Sequence, residues 1–318
     1  MTEPTIVESR GGADPEISVV VPVYKEQDNI LPFLKRTETT LEALKVSYEI
    51  IFCLDPSPDR TEEVIVGQIS RNANIRLMIF SRRFGQPAAT MAGILNCRGR
   101  YCVVIDVDLQ DPPELIEALY RKACEGYEVV YAKRRSRKGE TWIKRLVASM
   151  GYRLINKVSE APIPRDVGDF RILSRRVIDQ LGRLSETHGF LRGLVGYIGF
   201  RQSCVEYDRQ SRVHGPGNYN RLLGSIKIAF NGLMGFTVFP LQAMWILGLL
   251  LMAGMLALGI GATLLGMSLS GIFYLSCGVG FLAGLQLFSL GIMGEYVGRI
   301  YQEVRRRPMY IIDRKINW

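Results

Sequence analysis

The reading of this chain turns on Tyr101-Cys-Val-Val-Ile-Asp106-Val107-Asp108-Leu-Gln110-Asp111-Pro-Pro113. An apolar run of this length reads as a strand buried on both faces, and it ends abruptly in acid. Carboxylates at the C-terminal end of a parallel strand sit where open α/β sheets bind their ligands. Asp106 and Asp108 offer hard oxygen donors of the kind that hold Mg²⁺ or Mn²⁺ on a diphosphate. A short Asp-x-Asp more often merely caps a turn, so the rest of the chain has to carry the functional reading.

Working outward, strands and helices alternate. Ile17–Val23, Tyr48–Leu54, Ile75–Phe80 and Tyr101–Ile105 are expected strands, with Glu128–Ala132 as a fifth. Helices are expected at Asn29–Leu44, from about Asp59 onward, and at Gln86–Asn96 and Pro113–Cys124. This βα rhythm predicts an α/β fold with a doubly wound, mostly parallel sheet. The strands end in Tyr24-Lys-Glu26, Asp55, Arg82-Arg83 and Asp106-Val-Asp108, which would line one sheet edge together. A basic loop follows at Lys133–Glu140. Two basic amphipathic helices follow it, at Trp142–Met150 and Tyr219–Phe236, the second suited to a membrane surface.

Charge is spread unevenly. The formal net charge is +9, yet no charged residue occurs from Ile228 to Gly294. Two spans, about Phe239–Leu265 and Ile272–Gly294, are each long enough to cross about 30 Å of hydrocarbon, and Ser268–Gly271 turns between them. Arg221 and Lys227 precede this C-terminal transmembrane hairpin, and Arg299 and Arg305–Arg307 follow it. Basic flanks stay in the cytoplasm, so the expectation is a multi-pass protein of the inner (cytoplasmic) membrane with its large domain on the cytoplasmic side. The polar N-terminus, lacking an apolar segment, argues against a cleaved signal peptide. Six cysteines without metal-type spacing read as buried apolar residues in a reducing compartment, with no zinc site. The basic clusters fit phosphate or anionic lipid; no aromatic-interleaved module speaks for nucleic acid. The divisions expected are a polar tail at 1–15, a catalytic domain at 16–215, an interfacial helix at 216–238, the hairpin at 239–294 and a basic cytoplasmic tail at 295–318.

Five motifs follow in order: Val21-Pro22-Val23-Tyr24-Lys-Glu26; Asp55-Pro-Ser57-Pro-Asp59-Arg-Thr61; Ser81-Arg-Arg-Phe84-Gly85-Gln86; Asp106–Pro113; and Gly168-Asp169-Phe170-Arg171. Together they resemble glycosyltransferase family two, and within it the polyprenyl-phosphate glycosyltransferases of the bactoprenol glucosyltransferase and dolichol-phosphate mannose synthase kind. The resemblance covers nearly the whole chain after about Glu16. It implies a GT-A fold, a nucleotide-sugar donor, a polyprenyl-phosphate acceptor at the lipid bilayer and a divalent metal, Mg²⁺ or Mn²⁺.

It also implies roles. Pro22, Tyr24, Glu26 and Asp55 match positions that hold base and ribose, and Gly85 and Val107, in the third and fourth motifs, join the donor-binding set. Asp106 and Asp108 match the metal and diphosphate pair, Asp169 a third acid facing the reaction centre, and Gln110 a residue close to the donor. An acceptor phosphate is already ionised near neutral pH, so it needs positioning more than a general base. Arg134, Arg137 and Lys138 are reasonable clamps for it. Two departures stand out. Relatives often carry Asp-Asp-Gly-Ser where this chain has Leu54-Asp55-Pro56-Ser57. Relatives also tend to carry Gly-x-Ser-Lys-Tyr where this chain has Gly215-Pro-Gly-Asn218-Tyr219, without the lysine. Arg209 and Arg212 are candidates for the lost charge, and His188 and His214 are assigned no role.

The expected reaction is inverting transfer of a hexose, in first place glucose from UDP-glucose, to undecaprenyl phosphate; mannose is the alternative sugar. A processive synthase would carry Gln-x-x-Arg-Trp, and no Arg-Trp pair occurs. A transporter would place ionisable residues in its spans, and a degenerate scaffold would not keep all the acids. The sequence leaves a homo-oligomer open.

Overall fold

The computed structural model describes residues 14–135, 167–184, 191–208 and 271–318, with scattered positions between 241 and 261. Its frame is an eight-stranded sheet. The first half runs as the sequence predicts: β1 (Ile17–Val23), α1 (Gln27–Leu44), β2 (Tyr48–Leu54), α2 (Thr61–Ile69), β3 (Ile75–Phe80), α3 (Gln86–Asn96), β4 (Tyr101–Val104) and α4 (Leu115–Cys124). Every residue of β1 is buried, as expected of a strand covered on both faces. It pairs in parallel with β2 on one side and β4 on the other. The strand order therefore reverses between β1 and β4, and the crevice outside such a reversal is where open sheets bind ligands.

Beyond β4 the sheet is mixed, not mostly parallel. β5 (Val129–Arg134) does not join β4 directly; β6 (Val167–Ser174) lies between them, antiparallel to both. β6 leads into α5 (Arg175–Arg183) and α6 (Leu191–Ile198), and β7 (Gln202–Tyr207) then pairs in parallel with β5. Apolar side chains pack in two clusters. One joins a sheet face to α1, α2 and α4, the other the opposite face to α3, α5 and α6.

The last helix, α7 (Gly271–Val304), has 34 residues, about 51 Å at 1.5 Å per residue. Its 281–304 portion, with a mean hydropathy of 1.2 and none of it buried, is the one stretch among the described residues long and apolar enough to cross a membrane. Glu295 and Arg299 pair on it at 3.0 Å without interrupting it. Of the expected first span, only scattered positions between 241 and 261 are described, each of them helical, and the two amphipathic helices lie outside the described residues.

The chain end read as a basic tail forms β8 (Ile312–Ile316), antiparallel to β3. Arg314 pairs with Glu62 at 2.7 Å, and the Asn317 amide donates to the carbonyls of Ala73 and Ile75 at 2.8 and 2.7 Å. Its charged side chains face outward while its backbone covers the β3 edge, a common protection of exposed strands.

Candidate active site

Four loops at the C-terminal ends of β1 to β4 meet at the crevice. The β1–β4 ladder stops at Val20↔Val104, although β1 continues to Val23. Pro22, buried within β1 opposite Cys53, lacks an N–H to donate and lies beyond that ladder, so the β4 side loses no bond there. Pro22 thus shapes the opening, and Tyr24 to Gln27 form its first wall.

Asp55 follows β2 and is 3% exposed. Its carboxylate accepts the backbone N–H groups of Phe84 at 2.9 Å and Gly85 at 2.8 Å. The charge therefore clamps the loop after β3. Gly85 has φ +91° and ψ 162°, a conformation essentially reserved for glycine, which lets its amide reach Asp55 just ahead of α3. In that loop Arg83 lays its guanidinium over the Tyr24 ring at 3.9 Å, a cation–π contact joining the first and third walls.

The second wall is bound to the first. Lys25 N–H donates to Ser57 Oγ at 3.0 Å and Glu26 N–H to Thr61 Oγ1 at 3.1 Å. Asp59 gathers the Ser57 and Thr61 hydroxyls. Burial pushes its carboxyl upward, but these hydroxyl bonds outweigh burial and hold it below the usual carboxylate range. Glu26 accepts the Asn29 amide at 2.6 Å.

The fourth loop carries the acids. Asp106 accepts the Gln86 amide at 2.8 Å, tying it to the first residue of α3. Asp108 accepts the Gln110 N–H at 3.1 Å around Leu109, whose φ is +58°. Leu109 and Val107 are buried, so they anchor the turn while Asp106 and Asp108 stay partly open to solvent. With its side chain in the core, Val107 offers a ligand only its backbone. Among the described residues no three acidic, histidine or cysteine side chains form a metal cage. Two partly exposed carboxylates suit a metal that takes its other ligands from a diphosphate and water.

Asp169 reaches the same crevice from β6. The β4–β6 ladder ends at Val104↔Arg171, and two residues further along the two strands stand Asp106 and Asp169. Against β5 the register slips: Tyr131 pairs with Arg171 but Lys133 with Val167, so Gly168–Phe170 face Ala132 alone. Such bulges re-aim side chains beside active sites. Asp169 accepts from Arg171 Nη2 at 3.0 Å and from Arg192 Nε, on α6, at 3.1 Å. Burial raises its carboxyl, but Arg192 and Arg171 outweigh burial and hold it below the ordinary carboxylate range.

Arg134 differs from expectation. It ends β5 instead of lying on a loop, because β5 extends by two residues to pair Lys133 with Glu206 and Arg134 with Tyr207. Arg137 and Lys138 lie outside the described residues. The crevice therefore gathers Pro22, Tyr24, Glu26, Asp55, Gly85, Asp106, Val107, Asp108, Gln110 and Asp169. Sequence reasoning placed Arg83 at the sheet edge without its stack on Tyr24 and passed over Arg192 and Tyr207, whose relevance arises only from distant partners.

The family model described as glycosyl transferase family 2 matches residues 18–182. An uncharacterized glycosyltransferase of Synechocystis is 40% identical over 304 residues, covering 94% of this chain and 95% of that protein. The chain belongs to glycosyl transferase family 2. A prophage-derived bactoprenol glucosyl transferase of Shigella flexneri is 36% identical over 305 residues, 94% of this chain and 98% of that one. A prophage bactoprenol glucosyl transferase homolog of Escherichia coli is 34% identical over 94% of this chain and 99% of its own length. The family fixes the fold as GT-A-like, an α/β fold with a mixed sheet, and the activity as glycosyl transfer.

Proposed function

We propose that this protein transfers a single hexose, glucose in first place, from UDP-glucose to undecaprenyl phosphate at the cytoplasmic face of the inner membrane, with inversion. The observation that carries the proposal is the pair Asp106 and Asp108 at the β1/β4 strand reversal, with Asp169 alongside. The relatives named as bactoprenol glucosyl transferases support this sugar and acceptor over others.

The nucleoside end of the donor lies between the walls built by Tyr24, Glu26 and Asp55, with the Arg83–Tyr24 stack as a platform. Asp106 and Asp108 would hold Mg²⁺ or Mn²⁺, whose charge neutralises the departing diphosphate. Gln86 fixes Asp106 to α3, so the α3 N-terminus, positive by its peptide dipoles, lies beside the developing negative charge. A phosphate oxygen of the lipid forms the bond to the anomeric carbon as the bond to the nucleoside diphosphate breaks, on the opposite face. That acceptor is already ionised, so no side chain has to take its proton. Asp169, kept anionic by Arg192 and Arg171, orients the acceptor within a ring of arginines. Arg134 and Arg192, with Arg137 on the following segment, hold its phosphate.

The α7 helix is long and apolar enough to anchor the chain, and the charge-free 239–265 stretch is the proposed second span. Reporter fusions at both chain ends should report the cytoplasm; a periplasmic C-terminus contradicts the hairpin. The reaction is tested by incubating purified protein and undecaprenyl phosphate with a panel of radiolabelled nucleotide sugars. Label should pass into lipid from UDP-glucose. No transfer from any of them would refute the proposal.

A further inference from the structure

One buried polar cluster, centred on Asp111 and Tyr207, joins both halves of the site. Asp111, three residues after Asp108, is 2% exposed, and its carboxylate accepts the Tyr207 hydroxyl. Tyr207, the last residue of β7, is itself buried. Arg134 donates from Nε to the Tyr207 oxygen at 3.4 Å, and its Nη2 stands 3.9 Å from Asp111. The Tyr207 ring packs edge-on against Phe170, the neighbour of Asp169, with centroids 6.5 Å apart. Gly168 leaves room for this arrangement, since a Cβ there would meet Arg134 Nη2 at 3.0 Å.

We propose that Tyr207 and Asp111 are positioning residues that fix the Asp106–Asp108 turn against the Asp169 bulge. The turn itself has little regular backbone pairing, because the β4 ladder ends at Val104. A buried carboxylate must find donors, so Asp111 pulls the turn to the ends of β5 and β7. Tyr207 transmits that anchor to the bulge through Phe170. Burial and the Asp111 charge push the Tyr207 hydroxyl up to about 12, so it stays a donor throughout the neutral range. The catalytic meaning rests on the functional reading above; the mechanical link does not.

Hydrogen exchange of the full-length chain tests the link directly. In Tyr207→Phe, amides in 106–111 and in 168–170 should both exchange faster, by roughly tenfold, while β1 and β2 keep their protection. Asp111→Asn still accepts the hydroxyl and should preserve protection that Asp111→Ala loses. Turnover with UDP-glucose and undecaprenyl phosphate, per folded molecule, should fall about tenfold in Tyr207→Phe. Unchanged exchange in either segment overturns the inference whether or not the parent protein is active. Faster exchange with undiminished turnover also overturns it, because the link would then be structural only. A parent chain that makes no lipid-linked sugar, with the exchange coupling intact, would strike the functional reading alone.

Discussion

Replacing Asp55 with asparagine tests how the donor wall is held. In the native chain the two Asp55 oxygens accept two backbone N–H groups, from Phe84 and Gly85, at 2.9 and 2.8 Å in a buried setting. Asparagine is nearly the same size but keeps one acceptor and turns an NH₂ toward the other amide. One N–H is left facing a donor, at a cost of about 1–3 kcal/mol, and the surviving bond loses its charge assistance, about 1 kcal/mol more. A loss of about 2–4 kcal/mol at roughly 2–4 °C per kcal/mol predicts a fall in melting temperature of about 4–16 °C. The loop that carries Arg83 then no longer holds it over Tyr24, and the KM for donor should rise by roughly tenfold, about 1.4 kcal/mol. The assays are a thermal melt and steady-state kinetics with donor varied. An unchanged melting temperature with an unchanged donor KM would refute the clamp.

Other consequences are as specific. Chelation should abolish transfer and Mg²⁺ or Mn²⁺ should restore it, while Asp108→Ala should lose turnover yet melt like the parent, because among the described residues Asp108 bonds only within its own turn; full turnover in excess chelator would contradict the metal assignment. Asp169 has a depressed carboxyl in the fold, so its stabilising contribution is complete above about pH 4, the ordinary carboxylate value, and is lost as pH falls further. Asp169→Asn should therefore flatten acid unfolding below that pH, and an identical acid limb would count against the ion pairs with Arg171 and Arg192. Arg134→Ala should raise the KM for undecaprenyl phosphate by roughly tenfold with donor binding little changed, since charge-assisted bonds to phosphate contribute about 1.5–3 kcal/mol; the reverse pattern would place this arginine on the donor.

The half of the fold that was legible in the sequence is the half whose strands bury both faces. β1 to β4 are mostly apolar, broken only by Ser18, Glu49 and Arg76 near their starts, and each is closed by a polar loop. β6 was hidden because Gly168, Asp169 and the fully buried Arg171 interrupt its apolar pattern. Arg171 is admissible there only because its guanidinium bonds the Gly168 and Asp169 carbonyls and the Asp169 carboxylate. β7 and β8 are edge strands with polar outer faces, and Asp313-Arg-Lys315 within β8 reads as a tail until its backbone is seen paired with β3. The site divides the same way. Asp106 and Asp108 stand out because two acids end an apolar strand. Arg192 and Tyr207 do not, since each is ordinary in its own segment and gains meaning from Asp169 or Asp111, 23 and 96 residues away.

The most direct measurement is mass spectrometry of the lipid extracted after incubating the purified protein with UDP-glucose, Mn²⁺ and undecaprenyl phosphate. The account predicts one new species, undecaprenyl phosphate carrying a single hexose, which disappears with Asp108→Ala. A ladder of added sugars, or free hexose with no modified lipid, would contradict it.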